Sequence, residues 1–145
     1  MLRAALLGCL LAAAIARAGN ATRARRRLSV DYQEVAKLVA SDAATGDNFC
    51  SVAIDGNTIV VGAYQYDSGG SGSAYVLRTS DGGATYVEVA KLTAADGTAG
   101  DQFGNYVAID GNTIVVGAYY YNLGEGAIYV FRTSDGGATY GQVAK

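Results

Sequence analysis

Between residues 103 and 145 the chain alternates apolar and polar positions in four short runs, each closed by turn residues, the pattern of β-strands. The first run, 103–109, ends at Asp110-Gly111-Asn112, a tight turn of the Asp-Gly class. These residues tolerate positive φ and so close a hairpin. The second run, 113–119, is apolar at nearly every position (Ile114, Val115, Val116, Ala118), which predicts a strand covered on both faces. A looser connection over 120–125 leads to the third run, 126–133. This run sets Ile128 and Val130 on one face and Tyr129 and Phe131 on the other. Ser134-Asp135-Gly136-Gly137-Ala138 supplies the next turn, and a fourth run opens at Tyr140.

The same pattern stands one unit earlier. Residues 32–85 and 86–139, with one gap allowed in each, share 37 identical pairs over units of 54 residues, and a third unit begins at Tyr140. Agreement at that level is duplication of a structural unit, in which each copy buries its faces against its neighbours. Four strands per unit joined by short turns make an antiparallel meander, and a tandem series of meanders points to a β-propeller. A single eight-stranded sandwich is the alternative; near-identical units favour the propeller, because sandwich strands occupy non-equivalent places. The fold class is therefore all-β, with two four-stranded antiparallel propeller blades at about 49–93 and 103–145. Residues 32–39 are expected to be the outer strand of a preceding unit. Propellers close with about four to eight blades, so two make an incomplete propeller. The chain is then expected to be a segment of a longer protein, with self-association to complete a ring as the other route.

The first 31 residues have a different character. Met1-Leu2-Arg3, an apolar stretch over 4–15 and the triplet Ala16-Arg17-Ala18 are the parts of a secretory signal peptide, with cleavage expected after Ala18. The apolar stretch is short of the roughly 20 residues that a membrane helix needs. An organelle transit peptide is the competing reading, because six arginines precede the first acid, Asp31. Residues 19–31 read as a basic, disordered linker. Within it Arg23 to Arg26 could serve as a dibasic processing site, and Asn20-Ala21-Thr22 is a glycosylation sequon with Asn20 as acceptor.

With that segment set aside, the charge changes sign of meaning. From Leu28 onward 5 basic residues face 13 acidic ones, a net charge of −8, which argues against nucleic acid or anionic lipid as partner. Of the two cysteines, Cys9 falls in the signal stretch, so Cys50 stands without an internal disulfide partner and is expected to be a buried bystander, with an intermolecular disulfide as the other reading. No catalytic set is visible. There is no histidine, which removes the commonest base and metal ligand. Ser80-Asp81 reads as turn chemistry, and the Gly-rich stretch 67–72 lacks the lysine of a phosphate loop.

The repeat resembles the FG-GAP repeat, the blade unit of integrin α-chain head propellers and of many secreted proteins. Phe103-Gly104 matches the Phe-Gly pair that opens the unit, and Gly117-Ala118-Tyr119 matches the Gly-Ala-Pro triplet except at its last position. The first copy departs further, with Phe49-Cys50 and Gly62-Ala63-Tyr64. The resemblance covers Tyr32 to Lys145 and implies an extracellular propeller. Integrin blades often carry a calcium loop of the Asp-x-Asp-x-Asp-Gly type, a run of oxygen ligands around one hard cation. Here Asp55-Gly56-Asn57 and Asp110-Gly111-Asn112 stand in its place, too short for the loop and read as hairpin turns. No cofactor is expected. Calcium is the one ion for which oxygen ligands are offered, weakly, by Asp42, Asp47, Asp96 and Asp101 in the inter-blade loops, where solvated turn residues are the competing reading.

Tyr64, Tyr66, Tyr119, Tyr120 and Tyr121 cluster where the second strand meets its loop. Packing between blades is one role for them; an aromatic contact face for protein or carbohydrate is the other, since tyrosine combines large area with a polar tip. The expected function is accordingly a secreted or cell-surface, non-enzymatic repeat module for binding or adhesion. The alternatives are the accessory propeller of a larger secreted hydrolase or lyase, and a self-assembling structural repeat protein.

Overall fold

The computed structural model describes residues 33–64 and 69–145. The expectations for residues 1–31, including the signal segment, the basic linker and Asn20, lie outside the described residues, as does Tyr66. Residues 34–145 belong to one compact unit whose described residues form eight strands. These are β1 (Phe49–Asp55), β2 (Thr58–Ala63), β3 (Ser73–Arg78), β4 (Val87–Leu92), β5 (Phe103–Asp110), β6 (Thr113–Ala118), β7 (Ala127–Arg132) and β8 (Gly141–Ala144). They form two antiparallel sheets in the orders β1-β2-β3-β4 and β5-β6-β7-β8, so each sheet is one meandering blade whose fourth strand comes from the start of the next repeat.

The hairpins follow from the turn residues. Asp55 pairs with Thr58 and Asp110 with Thr113, leaving the two-residue loops Gly56-Asn57 and Gly111-Asn112. Both glycines take φ of 52° while neither asparagine is left-handed. This puts the positive angle at the first central position only, the φ signature of a type II′ turn. The apolar second strands behave less uniformly than their sequence predicts. β2 is buried on both faces, whereas β6 alternates between buried and half-buried residues.

The cause lies in how the blades stack. Val60, Ala74, Val76 and Leu92 of the first blade share one core with Phe103, Ile114, Val116, Ala118, Tyr129 and Phe131 of the second. Val60 and Ile114 sit on opposite faces of their respective repeats, because the counterpart of Ile114 is Ile59, next to Val60 in the strand. The stacking is thus head-to-tail, as in an array, with one face of a blade meeting the other face of the next. Blade 1's far face (Val61, Ala63, Tyr75, Leu77) is covered by Ala40 and Leu38. In blade 2 the counterpart of that cover is Leu92, which is also part of the shared core. Residues 33–40 adopt no strand themselves.

The contact is close enough to join backbones. The Phe103 N–H donates to the Ser71 carbonyl at 2.8 Å and the Gly100 N–H to the Gly70 carbonyl at 3.0 Å, with a parallel bridge between Gly72 and Phe103. Glycine is required here. A Cβ on Gly62 would stand 1.9 Å from the Gly104 carbonyl oxygen, one on Gly72 would stand 2.0 Å from that of Phe103, and one on Gly104 would stand 2.1 Å from that of Ser73. Gly104 also takes φ of 91°, which an L side chain rarely adopts. Two further bonds cross between the blades, from the Val107 N–H to Ser51 Oγ (3.1 Å) and from the Gly111 N–H to Asp55 Oδ2 (2.7 Å).

Entry to β5 differs from entry to β1, and this explains the gap that the first repeat takes against the second. In blade 1 the register passes from Phe49↔Ala63 directly to Ser51↔Gly62, so the bulge contains Cys50 alone. In blade 2 it passes from Phe103↔Ala118 to Tyr106↔Gly117, and the bulge holds Gly104 and Asn105. The expectation of a buried Cys50 is corrected: the thiol is free and exposed on β1, because no described residue packs on that bulge as blade 1 packs on Gly104. The two phenylalanines diverge in the same way. Phe103 is fully buried, edge-on to Tyr129 and Phe131, while Phe49 is 36% exposed and edge-on to Tyr75 alone.

Burial therefore separates two residues that the repeat makes equivalent. Phe103→Ala is expected to cost about 3–5 kcal/mol and Phe49→Ala clearly less, read from urea unfolding midpoints of the two variants against the parent chain.

Candidate functional site

Two sets of polar residues recur in both repeats and a third joins them, and each is placed by a turn or a strand end. The first closes the β3–β4 connection. Thr79 Oγ1 donates to Asp81 Oδ1 (2.7 Å) and accepts the Gly83 N–H (2.8 Å), and Asp81 accepts the N–H and hydroxyl of Thr85 at 2.9 and 2.6 Å. Thr133, Asp135, Gly137 and Thr139 repeat the arrangement in blade 2. The threonine hydroxyls at 85 and 139, with the neighbouring N–H donors, hold both carboxyls well below the ordinary carboxylate range. The Ser-Asp-Gly-Gly segments are thus self-contained turns, consistent with their reading from sequence.

The second set is a clasp that the sequence did not reveal. Asp42, on the segment entering blade 1, accepts a 2.7 Å hydrogen bond from the Tyr75 hydroxyl and pairs with Lys91 beyond β4's midpoint. Asp96, on the segment between the blades, accepts one of 2.9 Å from the Tyr129 hydroxyl and pairs with Lys145. The same segments are held a second time: Ser41 donates to Glu88 through its N–H and hydroxyl, both at 2.9 Å, and the Ala95 N–H donates to Gln142 Oε1 at 3.1 Å. Each connection is therefore tied to the third and the fourth strand of the blade it enters, with Lys145 just past the end of β8. Lys91 and Lys145 also sit over aromatic rings, 5.3 Å from the Tyr75 centroid and 3.6 Å from that of Tyr121. The lysine pairing lowers the Asp42 and Asp96 carboxyls, with the tyrosine hydroxyls adding to it. Burial, then the carboxylate beside it, pushes the Tyr129 hydroxyl up to about 12. Tyr75 is raised for the same reasons.

The sequence-derived candidates can now be placed. Asp42 and Asp96 are the clasp acids. Asp47 accepts the Ala44 N–H at 2.7 Å, and Asp101 accepts the Thr98 N–H and hydroxyl at 2.7 and 2.9 Å, so both close local turns. Among the described residues no group of three or more His, Cys, Asp or Glu side chains is gathered as a metal site would need. The tyrosines separate. Tyr121 lies in the clasp, its hydroxyl 3.4 Å from Asp96 Oδ2, and Tyr64 is half-buried. Tyr119 and Tyr120 point outward, 62% and 46% exposed, at the start of the β6–β7 connection. That connection is a single turn over Tyr121–Gly124 in which Asn122 (φ 50°) and Leu123 (φ 64°) are both left-handed. Leu123 is 89% exposed. A branched apolar residue in that conformation is uncommon.

The third set joins the blades: the Arg78 guanidinium donates to the Gly136 carbonyl of the blade 2 turn. Its counterpart Arg132 is exposed.

The clasp has a pH signature. A tyrosine whose folded pKa is raised stabilises the fold fully below its ordinary value of 10.0 and loses that contribution as the pH climbs through about 12. Stability is expected to fall over that interval, and Tyr129→Phe should be less stable at neutral pH with a shallower fall, as measured by urea midpoints across the alkaline range.

The family model for the FG-GAP repeat matches residues 32–77 and 80–131. The first match ends in the third strand of blade 1 and the second runs from the β3–β4 turn to the third strand of blade 2, so the fourth strand of blade 1 opens the second match. No curated protein matches the chain. With two tandem matches over more than half of its length, lying across two four-stranded blades, the chain belongs to the FG-GAP repeat family.

Proposed function

We propose that this chain is a secreted or cell-surface propeller module that binds a protein or carbohydrate ligand through the β6–β7 connection and has no catalysis of its own. The observation that carries the reading is the display of Tyr119, Tyr120 and Leu123 in one short turn, with Leu123 almost wholly exposed in a left-handed conformation. Backbone strain that holds an apolar side chain in solvent is a feature found at ligand contacts. Tyrosines beside it supply area at low entropic cost and a hydroxyl for polar partners.

The non-enzymatic part rests on the absence of histidine from the sequence and on the role of the shifted carboxylates. Asp42, Asp81, Asp96 and Asp135 each owe the shift to a turn or clasp partner. No cofactor belongs to this reading, since Asp42, Asp47, Asp96 and Asp101 already receive protein donors. The extracellular setting rests on the signal-like first 18 residues and on the FG-GAP family, whose repeats are typical of extracellular and cell-surface proteins. No helix among the described residues is long and apolar enough to cross a membrane.

The test is binding of the full chain to arrayed glycans and immobilised extracellular-matrix proteins. A Tyr119→Ser, Tyr120→Ser double variant with unchanged circular dichroism is expected to lose binding by about tenfold or more, the scale of aromatic contact residues. Undiminished binding would place the contact face elsewhere.

A further inference from the structure

Gln102 is only 9% exposed, yet its side-chain amide hydrogen-bonds to no other described residue. A buried polar group left without a partner is costly and calls for a reason. Among the described residues the one sealed side-chain polar atom that lacks a partner is Arg78 Nε, so the Gln102 amide opens on space that solvent can enter. That space is a cavity of about 390 Å³ walled, among the described residues, by Gly100, Gln102, Tyr119 and Tyr120. The backbone fixes these walls. Gln102 takes φ of 58°, a left-handed angle uncommon outside glycine. On its two sides the Gly100 N–H donates to the Gly70 carbonyl at 3.0 Å and the Phe103 N–H to the Ser71 carbonyl at 2.8 Å. The Tyr120 N–H donates to the Asp101 carbonyl at 3.0 Å, which holds the β6–β7 connection beside it. Blade 1 is different at the equivalent place. Asn48 shares the left-handed backbone (φ 48°), but it is exposed and its amide donates to the Gly46 carbonyl at 3.0 Å. In sequence, Gln65 stands where blade 2 has Tyr120.

We propose that this cavity binds a single neutral sugar ring and that Gln102 is the residue that selects it. Resting on the β6–β7 connection as the contact face, the site gives that face its ligand class. Its walls hold no carboxylate, ammonium or guanidinium group. The neighbouring Asp101 carboxylate is taken up by the Thr98 N–H and hydroxyl. An ionised ligand would therefore lose its hydration here without meeting a counter-charge. A primary amide presents two donors and an acceptor in one plane, which adjacent ring hydroxyls, each both donor and acceptor, can engage together. The two tyrosine rings offer apolar area to the C–H face of a pyranose and hydroxyls at its rim. At about 390 Å³ the cavity lies at the small end of ligand sites, which run from about 300 to 1,000 Å³. That is room for one ring and not for an extended chain. A protein partner lying across Tyr119 and Tyr120 would leave the buried amide unmet. Because the Gln102 backbone is held in place before any ligand arrives, little ordering is needed on binding.

Calorimetric titration of the full chain with the methyl glycosides of glucose, galactose and mannose tests the assignment, and at least one is expected to bind. Gln102→Asn copies the residue of blade 1, so the left-handed backbone is kept while the shorter amide turns to the Gly100 carbonyl. Affinity for that glycoside should fall roughly tenfold, the scale of hydrogen bonds lost to an uncharged partner, at an unchanged melting temperature. A second readout needs no variant. In the parent chain the NMR signals of the Gln102 side-chain amide should move on titration with the glycoside, and those of Gln142, already bonded to the Ala95 N–H, should stay. Undiminished affinity in folded Gln102→Asn, or unmoved Gln102 signals, would overturn the sugar site. If the same binding were then lost in the Tyr119→Ser, Tyr120→Ser variant, the contact face itself would stand. Undiminished affinity in both variants would overturn the two together. Binding of an immobilised protein with no response to any of the three glycosides at millimolar concentration would refute the sugar and keep the face.

Discussion

The close approach of the Phe103-Gly104 backbone to Gly62, Gly72 and Ser73 is the constraint on which the rest of the structure depends. Side chains alone would stack two sheets about 10 Å apart. Here the entry strand of one blade descends onto the backbone of the other, which three glycines permit by leaving no Cβ between carbonyl oxygens. That descent puts Phe103 under Val60, Ala74 and Val76, and joins what would be two half-cores into one. It also links the order of the repeats to their chemistry, since only a unit with glycine after its phenylalanine can sit this way.

The Asp-Tyr-Lys clasp serves the same end from outside. The connection between blades must cross from the outer strand of one to the inner strand of the next, and a free connection would leave that crossing to chain entropy. Asp96 anchors it to Tyr129 and Lys145, and Asp42 does the same at the entrance to blade 1. These carboxylates are solvent-facing, so their effect is to hold the path of the chain, and the bulk of the stability comes from the shared core.

Much of this was legible before the structure. The strands follow from alternation, the hairpins from Asp-Gly-Asn, and the family from Phe103-Gly104 with Gly117-Ala118. What could not be read was every feature that belongs to two repeats at once. Residues 42, 75 and 91 are far apart in sequence, and nothing in a period-2 pattern says that an acid in a turn will meet a tyrosine on the third strand and a lysine on the fourth. The five tyrosines looked like one patch because they fall at the same place in both repeats, where the second strand meets its loop. The left-handed turn at Asn122 and Leu123 sends Tyr121 inward and leaves Tyr119 and Tyr120 out. Cys50 was expected inside because free cysteine usually is, whereas its exposure depends on what packs over one bulge. A signal did exist for the blade contact, in the identical Gly62 and Gly117, but sequence identity conceals that only one of them has a neighbour.

That difference gives the most direct measurement: thermal melting of Gly62→Ala beside Gly117→Ala. A methyl forced against the Gly104 carbonyl should cost about 1–3 kcal/mol, as overpacking of a tight contact does, and a domain of this size should then melt several degrees lower. Gly117→Ala should melt at the parent temperature or slightly above it, because alanine is the better strand residue where nothing approaches. If the two variants shifted alike, or if Gly62→Ala were neutral, the backbone contact between the blades would not be what holds them together.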